Sequence, residues 1–397
     1  MGPPPRRPAW ADSLLCVGVT GTNGKTSTTG MVAALLGLLA RPVARTTTLG
    51  CFLDDEQLAV PPHYPGFLQL MERCVAARGR FAALELTSEA LALGFAQSWP
   101  CKVAAFTNLS LDHSDAHGST EHYLASKAQL FMTLPPGGTA VLNGCDANAE
   151  LLLAVLPAGV EVVRYGVASR GAAWAALDLA AEAITPSFEG TTATLLPSAR
   201  FPELPPELAL ETIGEVFVEN ALAALGCALS LGVPAKEAIL ALATLPPPPG
   251  RFEVVRRKPY VVVDYAHTPD ALGRTLATAR QLCRGTLSVV FGAGGDRDRD
   301  KRPLLGAAAR AADRIVLTSD NPRSEAPEAI MTEISLGIGP HAAVAREVDR
   351  ARAIRRALAD AGEDDLILIA GKGHEGTQET NGQKLPFSDV AIVRGAD

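Results

Sequence analysis

Residues 17–29 read VGVTGTNGKTSTT, and this stretch decides the fold. The apolar run at residues 14–19 predicts a buried strand, and Lys25 stands where a helix is expected to begin. A glycine turn between a strand and a helix lets backbone N–H groups and the helix N-terminus converge on phosphate. A valine replaces the usual first glycine of the G-x-x-x-x-G-K-[ST] pattern, so Gly21 and Gly24 carry the turn.

The turn predicts a site for ATP. Lys25 is expected to reach the terminal phosphates, and Thr26 to hold Mg²⁺. The other loop residues expected to contact the nucleotide are Gly21, Thr22, Asn23, Gly24 and Ser27. A glycine-rich turn with a chance lysine is the alternative, and the strand before and the helix after disfavour it.

Composition narrows the class of protein. The chain has 397 residues, of which 47% are hydrophobic and 20% charged, so it is long enough for two or three globular domains. A net charge of −7 without a basic, aromatic-rich run argues against binding nucleic acid. Seven scattered cysteines predict reduced core residues rather than a disulfide framework. Without an apolar signal segment or a membrane span, we expect a cytoplasmic protein that contacts no membrane.

Apolar runs alternate with helical patterns along the first half of the chain, which predicts an α/β fold with a mostly parallel sheet. Strands are expected at 14–19, 81–86, 103–107 and 139–143, with helices at 28–39 and 121–132 between them. Short strands are expected across 160–197, followed by helices at 218–231 and 235–245.

The run PPPPG at residues 246–250 breaks any helix and predicts a hinge between domains. A second βα series follows, with strands at 260–265, 287–291, 314–319 and 366–369. We therefore expect a Pro-rich leader at 1–12, an ATP-binding domain at 13–248 and a Rossmann-like domain at 249–397.

A second chemical cluster follows two predicted strands. Glu85 closes one strand, where a carboxylate can complete a Mg²⁺ shell, although a lone glutamate at a strand end is often only solvated. The next strand runs into a polar loop that holds Asn108, Asp112, His113, Asp115 and His117. Glu85 and His113 together predict a second cation site, whereas His117 is interpreted as an ordinary loop histidine.

Seven ordered motifs resemble those of the Mur ligase family: GTNGKTST, FTNLSLDHSDAHGSTEHYLASK, GRFEVV, VVVDYAHTPDAL, FGAGGDRDRDKRPLLG, SDNPRSE and AGKGHEGTQ. Within that family the chain is most similar to members that add diaminopimelate to UDP-N-acetylmuramoyl-dipeptide. The resemblance implies a P-loop central domain followed by a Rossmann-like C-terminal domain. It also implies an ATP-dependent amide ligase in which an acyl phosphate forms, an amine displaces it, and ADP and phosphate leave.

The resemblance also implies roles around the phosphates. Lys25 and Thr26 would act with two Mg²⁺ ions, and Glu85 and His113 would hold the second ion. Lys127 matches a lysine that is carbamylated in the family and would support that metal, whereas its sequence context alone suggests a solvated helix lysine.

Further matches fall on the nucleotide. Arg251 follows the hinge and would neutralise the γ-phosphate when the domains close. Asp264 matches a residue that binds the ribose, with His267 nearby, and Asn220 corresponds to an asparagine on the nucleotide side of the first domain.

The amino-acid site of the family is matched as well. The motif DNPR begins at Asp320, and its Asn321 and Arg323 would engage the far end of a diamino acid, whose second carboxylate suits a guanidinium. The remaining matches are Arg297, Gly371 and Glu375, of which Glu375 suits a substrate ammonium. The alternative is that Asn-Pro forms a common turn and that GGDRDRDKR is a solvated loop.

Departures from the family lie mainly on the acceptor side. Relatives carry a UDP-sugar-binding domain before the phosphate loop, and we expect this chain to lack it. The segments VPPHYP at 60–65, TSE at 87–89 and GEVFVEN at 214–220 also depart from the family pattern. The leading hypothesis is therefore a ligase that adds a diaminopimelate-like amino acid to a carboxylate acceptor without the UDP handle.

Two further hypotheses stay open. One is UDP-N-acetylmuramoyl-tripeptide synthesis for peptidoglycan, with the missing domain supplied by a separate UDP-binding chain. The other is a noncatalytic nucleotide-binding scaffold, against which Lys25, Glu85, His113 and Lys127 argue. A role like that of folylpolyglutamate synthetase is disfavoured by the motifs DNPR and GKGHE.

Overall fold

The apolar runs of the sequence form the strands of two large sheets. The computed structural model describes residues 5–61, 63–110, 120–171, 177–340 and 343–395. Within these ranges the strands form an eleven-stranded sheet, a six-stranded sheet and a two-stranded hairpin. The predicted α/β class is confirmed.

The first sheet is parallel in its centre and antiparallel at its edges. Its strands are β1 (Leu15–Thr20), β2 (Val43–Thr47), β3 (Gly50–Leu53), β4 (Glu56–Leu58), β5 (Phe81–Glu85), β6 (Val103–Phe106), β7 (Thr139–Asn143), β8 (Glu161–Val167), β9 (Leu179–Ser187), β10 (Gly190–Leu195) and β11 (Glu207–Leu210). Their order is β11-β10-β9-β8-β7-β6-β1-β5-β2-β3-β4. β1 pairs in parallel with both β5 and β6, so the strand before the phosphate loop is central and buried.

Helices cover this sheet and connect its strands. They are α1 (Lys25–Leu36), α2 (His63–Ala76), α3 (Ser88–Ala92), α4 (Phe95–Ser98), α5 (Thr120–Met132), α6 (Asn148–Leu153), α7 (Glu215–Ser230) and α8 (Ala235–Ala243). α7 is Ala- and Leu-rich and buries twelve of its sixteen residues, which explains why it lies against α1 and the strands β6 to β10.

The second sheet has the doubly wound pattern that the second βα series predicts. Its strands are β12 (Glu253–Arg257), β13 (Tyr260–Asp264), β14 (Leu287–Phe291), β15 (Arg314–Leu317), β16 (Val344–Arg346) and β17 (Leu366–Ala370), in the order β12-β13-β17-β14-β15-β16. Only the edge strand β12 is antiparallel to its neighbour. The helices are α9 (Pro269–Leu282), α10 (Lys301–Ala309), α11 (Pro327–Ile338), α12 (Arg350–Ala359) and α13 (Asp389–Arg394), and β18 (Thr377–Thr380) with β19 (Gln383–Pro386) forms the hairpin.

Several smaller expectations are refined. The helix predicted at 28–39 begins at Lys25 and ends at Leu36. The described part of the predicted leader packs against α2 and Trp99, and the Arg7 guanidinium donates to the Leu14 carbonyl at 2.6 Å. The seven cysteines are free, and four of them are buried. In the part of the chain that the structure describes, no helix is long and apolar enough to cross a membrane.

The segment that contains the PPPPG run joins α8 to β12, and it has no helix or strand of its own before Gly250. It is therefore the point at which the chain leaves the first sheet for the second. We propose the domain boundary between residues 248 and 249, with the leader ending at residue 12.

Candidate functional site: a nucleotide cleft beside an amino-acid cleft

The phosphate loop approaches other backbone and side chains so closely that its two glycines are required. Gly21 has φ 148° and Gly24 has φ 84°. A Cβ atom at Gly21 would lie 1.9 Å from Thr107 Oγ1, and one at Gly24 would lie 2.3 Å from Asn220 Oδ1. α1 begins directly after this turn, at Lys25, so the N–H groups of its first turn point toward the loop.

Residues that follow β6 hold the loop from outside. Asn108 Oδ1 accepts the Asn23 N–H at 2.9 Å, and Asn108 Nδ2 donates to the Asn23 carbonyl at 3.1 Å. The Thr107 hydroxyl donates to the same carbonyl at 2.7 Å. The Lys25 ammonium donates to the carbonyls of Gly21 at 3.1 Å and Thr22 at 2.8 Å. These contacts fix the shape of the loop.

Oxygen atoms suited to magnesium lie next to the loop. Glu85 Oε2 accepts hydrogen bonds from Thr26 Oγ1 at 2.9 Å and from the Thr48 N–H at 3.1 Å. The described residues contain no cluster of three or more His, Cys, Asp or Glu side chains that could hold a metal ion. A hydroxyl and one carboxylate fit Mg²⁺, which keeps several waters and shares its shell with phosphate oxygens.

Of the other two residues predicted to bind metal, Lys127 lies in the described part of the chain and His113 does not. Lys127 is buried, its ammonium donates to the Gly21 carbonyl at 2.9 Å, and it lies 3.9 Å from the centre of the Tyr123 ring. It therefore contacts the back of the phosphate loop, and its carbamylation and metal role stay predictions. His113 lies outside the described residues, as do Asp112, Asp115 and His117.

The carboxyl ends of the two sheets face each other across a cleft of about 300 Å³, which we call the nucleotide cleft. Ten of the eleven residues predicted to bind ATP line this cleft, and Gly21 does not. The ten are Thr22, Asn23, Gly24, Lys25, Thr26, Ser27, Asn220, Arg251, Asp264 and His267. Glu85 lines the cleft too.

Polar contacts join the two sides of the nucleotide cleft. Asn23 Nδ2 lies 3.3 Å from both Thr268 Oγ1 and Asp270 Oδ2. Deeper in the interface, Arg274 of α9 pairs with Glu219 at 2.9 Å and Glu215 at 3.4 Å, both on α7. These contacts tie the phosphate loop and α7 to α9 across the nucleotide cleft.

Asp264 fixes the side of the cleft that carries Arg251. Its Oδ2 accepts the Phe252 N–H at 2.6 Å and its Oδ1 accepts the Ala266 N–H at 2.8 Å. Burial raises the pKa of Asp264, and the nearby Arg251 opposes that rise. The Arg251 guanidinium lies 4.2 Å from the centre of the Tyr265 ring, a cation–π contact that orients it.

A second cleft of about 200 Å³, the amino-acid cleft, adjoins the first. Its lining includes all six residues predicted to bind the amino acid: Arg297, Asp320, Asn321, Arg323, Gly371 and Glu375. Tyr265 and His267 line both clefts. Tyr265 was missed by sequence reasoning, although an aromatic residue directly after the strand-end Asp264 was a readable signal.

The polar groups of the amino-acid cleft contact one another. Asn321 Nδ2 donates to Glu375 Oε2 at 2.9 Å, and the Lys372 ammonium donates to the same oxygen at 3.0 Å. Burial acts to raise the pKa of Glu375, but Lys372 and Asn321 outweigh it and lower that pKa. Arg323 Nη1 donates to the Gly295 carbonyl at 2.5 Å. The cleft therefore holds a fixed carboxylate and a fixed guanidinium.

A buried arginine supports the glycine loop of this cleft. Arg302 is fully buried, and its Nη2 donates to the Gly294 carbonyl at 3.2 Å. The same guanidinium binds Glu325 with two hydrogen bonds, which lower the pKa of that carboxyl to about 2. Although Arg302 belongs to the quoted run GGDRDRDKR, sequence reasoning did not single it out.

Comparison with known proteins agrees with this geometry. Residues 19–228 match the Mur ligase middle domain, and residues 250–373 match the Mur ligase glutamate ligase domain. The chain is 40% identical over 393 residues to the UDP-N-acetylmuramoyl-L-alanyl-D-glutamate--2,6-diaminopimelate ligase of Thermosynechococcus vestitus, covering 96% of this chain and 76% of that protein. The enzyme of the same name from Ralstonia nicotianae is 41% identical, with the same coverage.

Solved structures give the same result. A structure of UDP-N-acetylmuramoyl-L-alanyl-D-glutamate--2,6-diaminopimelate ligase matches with a TM-score of 0.64 and 35% identity, covering 96% of this chain and 78% of the other. Mycobacterium tuberculosis folylpolyglutamate synthase matches with a TM-score of 0.71 but only 22% identity, over 91% of this chain and 89% of that one. At that identity the second match shows the fold alone.

The phosphate loop, the cleft and the matched domains are those of an ATP-dependent ligase that forms carbon–nitrogen bonds. The chain belongs to the Mur ligase family. ATP and Mg²⁺ are the cofactors that the family uses in general.

The close approach at Gly24 gives a direct test of the phosphate loop. Gly24→Ala is expected to weaken ATP binding by roughly tenfold or more, because a left-handed φ costs an L-residue about 1–2 kcal/mol and the new methyl group meets Asn220. Isothermal titration with a nonhydrolysable ATP analogue measures the loss. Gly273→Ala is the matched control, since a Cβ there meets nothing within 4 Å; equal affinities for the two variants would contradict the assignment.

Proposed function

We propose that this chain adds a diaminopimelate-like amino acid to the glutamate carboxylate of UDP-N-acetylmuramoyl-L-alanyl-D-glutamate, with ATP converted to ADP and phosphate. One observation carries the proposal: the nucleotide cleft and the amino-acid cleft share Tyr265 and His267 as a wall. An activated carboxylate formed at one cleft would thus lie beside an amine held in the other. The names of relatives about 40% identical over nearly the whole chain support the same reaction.

The nucleotide cleft suits phosphoryl transfer to a carboxylate. The acceptor carboxylate attacks the γ-phosphorus, the bond to the β,γ-bridging oxygen breaks, and ADP leaves with an acyl phosphate formed. Lys25, from the phosphate loop, and Arg251, from the opposite sheet, both line this cleft and would neutralise the charge that develops. Thr26 and Glu85 would hold one Mg²⁺ and Glu85 with His113 a second, and these ions would supply further charge neutralisation.

Aminolysis completes the reaction. The substrate amine attacks the acyl carbon, phosphate leaves, and the amine loses a proton as the amide forms. Glu375 is a carboxylate in the amino-acid cleft and would bind a substrate ammonium, while Asn321 and Arg323 would bind the distant carboxylate. Nucleotide contacts by Asn220, Asp264 and His267 would fix ATP against the phosphate loop.

We base the identity of the acceptor on the named relatives and not on the segments that depart from the family pattern. Those segments favour an acceptor without the UDP handle, whereas the names of the relatives support UDP-N-acetylmuramoyl-L-alanyl-D-glutamate. The scaffold hypothesis loses its support because the chain belongs to a family of ligases.

The defining experiment measures ADP release by the purified chain. We expect ADP only when ATP, Mg²⁺, meso-diaminopimelate and UDP-N-acetylmuramoyl-L-alanyl-D-glutamate are all present, with a tripeptide product seen by mass spectrometry. The same reactions are repeated with a separate UDP-binding domain of a relative added, because one of the open hypotheses has a separate chain supply that domain. Turnover of a UDP-free dipeptide in preference to the nucleotide form would overturn the acceptor assignment.

Arg323 provides the test of amino-acid choice. Arg323→Gln is expected to raise KM for diaminopimelate roughly 10- to 100-fold, because a hydrogen bond to a charged group contributes about 1.5–3 kcal/mol. KM for ATP should stay unchanged, and the preference over lysine should fall. Arg352→Gln, an exposed arginine on α12, is the matched control. Wild-type preference for lysine would refute the role given to Arg323.

Glu85 provides the test of the metal site. Glu85→Gln keeps the shape of the side chain but removes the charge, so we expect the Mg²⁺ concentration for half-maximal activity to rise at least about tenfold. Steady-state ADP release over a magnesium titration measures the shift. Glu72→Gln is the control, since Glu72 is exposed on α2; a normal magnesium response in Glu85→Gln would remove Glu85 from the metal site.

A further inference from the structure

A fully buried lysine lies behind the amino-acid cleft. Lys372 follows β17, has no exposed surface, and donates from Nζ to Asn321 Oδ1 and to Glu375 Oε2, both at 3.0 Å. A buried ammonium is costly unless it is paired and hydrogen-bonded, and this one is both. The sequence motif around it predicts that Gly371 and Glu375 bind the amino acid, but it indicates no role for Lys372.

The lysine determines which way the Asn321 amide faces. Asn321 Oδ1 accepts from Lys372 Nζ and also from the Glu379 N–H at 3.0 Å, so both lone pairs of this oxygen are used. Asn321 Nδ2 donates one hydrogen to Glu375, which leaves its second N–H for the cleft. A reversed amide would place its NH₂ group against two donors, so Lys372 and the Glu379 N–H together oppose the reversal.

The same lysine makes the two carboxylate oxygens of Glu375 different from each other. Oε2 accepts from both Lys372 and Asn321, while Oε1 takes part in neither bond. Glu375 lines the amino-acid cleft and stays ionised because Lys372 and Asn321 lower its pKa against the effect of burial. One carboxylate oxygen thus remains to accept from a ligand.

We propose that Lys372 is a positioning residue that sets the polarity of the amino-acid cleft, so that Asn321 offers an N–H to a substrate carboxylate and Glu375 offers an oxygen to a substrate ammonium. Lys372 has no exposed surface and is not among the residues that line the cleft, so it would act on a substrate through these two side chains. The inference rests on the proposed function for the identity of the amino acid, but the contacts that carry it do not.

The test separates binding of the amino acid from the rest of the reaction. Lys372→Met keeps the aliphatic stem and removes the donor, and we expect KM for diaminopimelate to rise about 10- to 100-fold, as for loss of a charged hydrogen bond. The values of kcat and of KM for ATP should change less than about twofold, a split that a general loss of folding would not produce. Lys384→Met, on the exposed hairpin strand β19, is the matched control.

A double-mutant cycle shows whether Lys372 acts through its partners. Lys372→Met and Glu375→Gln are combined, and we expect the double variant to raise KM much less than the product of the two single effects. Lys372→Gln, which keeps a donor for Asn321 without the charge, should give an intermediate KM and serves if Lys372→Met does not fold. Multiplicative effects, or an unchanged KM in both Lys372 variants, would overturn the proposal.

Different results would refute the proposed substrate and the positioning role of Lys372. If the unaltered chain uses another amino acid, the proposed substrate is wrong, and the same KM comparison is made with the amino acid that it does use. If the unaltered chain turns over diaminopimelate while both Lys372 variants match it in KM, the positioning role alone is refuted.

Discussion

The arrangement of the two clefts depends on one buried carboxylate. Asp264 accepts the backbone N–H groups of Phe252 and Ala266, and so ties the segment after the PPPPG run to the end of β13. That tie fixes Arg251 on the nucleotide side and Tyr265 on the wall between the clefts. A carboxylate that satisfies two buried N–H groups is expensive to replace, because both donors would lose their partners. Its proposed contact with the ribose would be a second role for the same side chain.

The central strands of both sheets could be predicted because they are buried on both faces. Continuous apolar runs such as those of β1 and β14 have no other good environment than the middle of a parallel sheet. The strands β3 and β4 and the hairpin β18–β19 were not predicted, since they are short, partly exposed and held mainly by pairing with a neighbour. Such strands depend on tertiary contacts rather than on local pattern.

The site residues, like the strands, could be predicted only where their position follows from the local sequence pattern. Side chains that follow predicted strands, such as Glu85 and Asp264, could be placed at the sheet edge from sequence because parallel strands end together there. Lys372 and Arg302 could not be assigned roles, because their partners Asn321 and Glu325 are distant in sequence and meet them only in the folded chain. Motif resemblance finds residues that touch ligands more readily than the residues that hold them.

The ion pairs of Arg274 with Glu215 and Glu219 join α9 to α7 beside the nucleotide cleft. Glu219 is almost completely buried, so its pair with Arg274 is shielded from mobile ions while the sheets are together and would become exposed if they separated. If products leave by separation of the two sheets, added salt favours the open form by screening the separated charges. Ionic strength would then act on the release step of each turnover rather than on bond formation, and a chain without this charge network would lose that sensitivity.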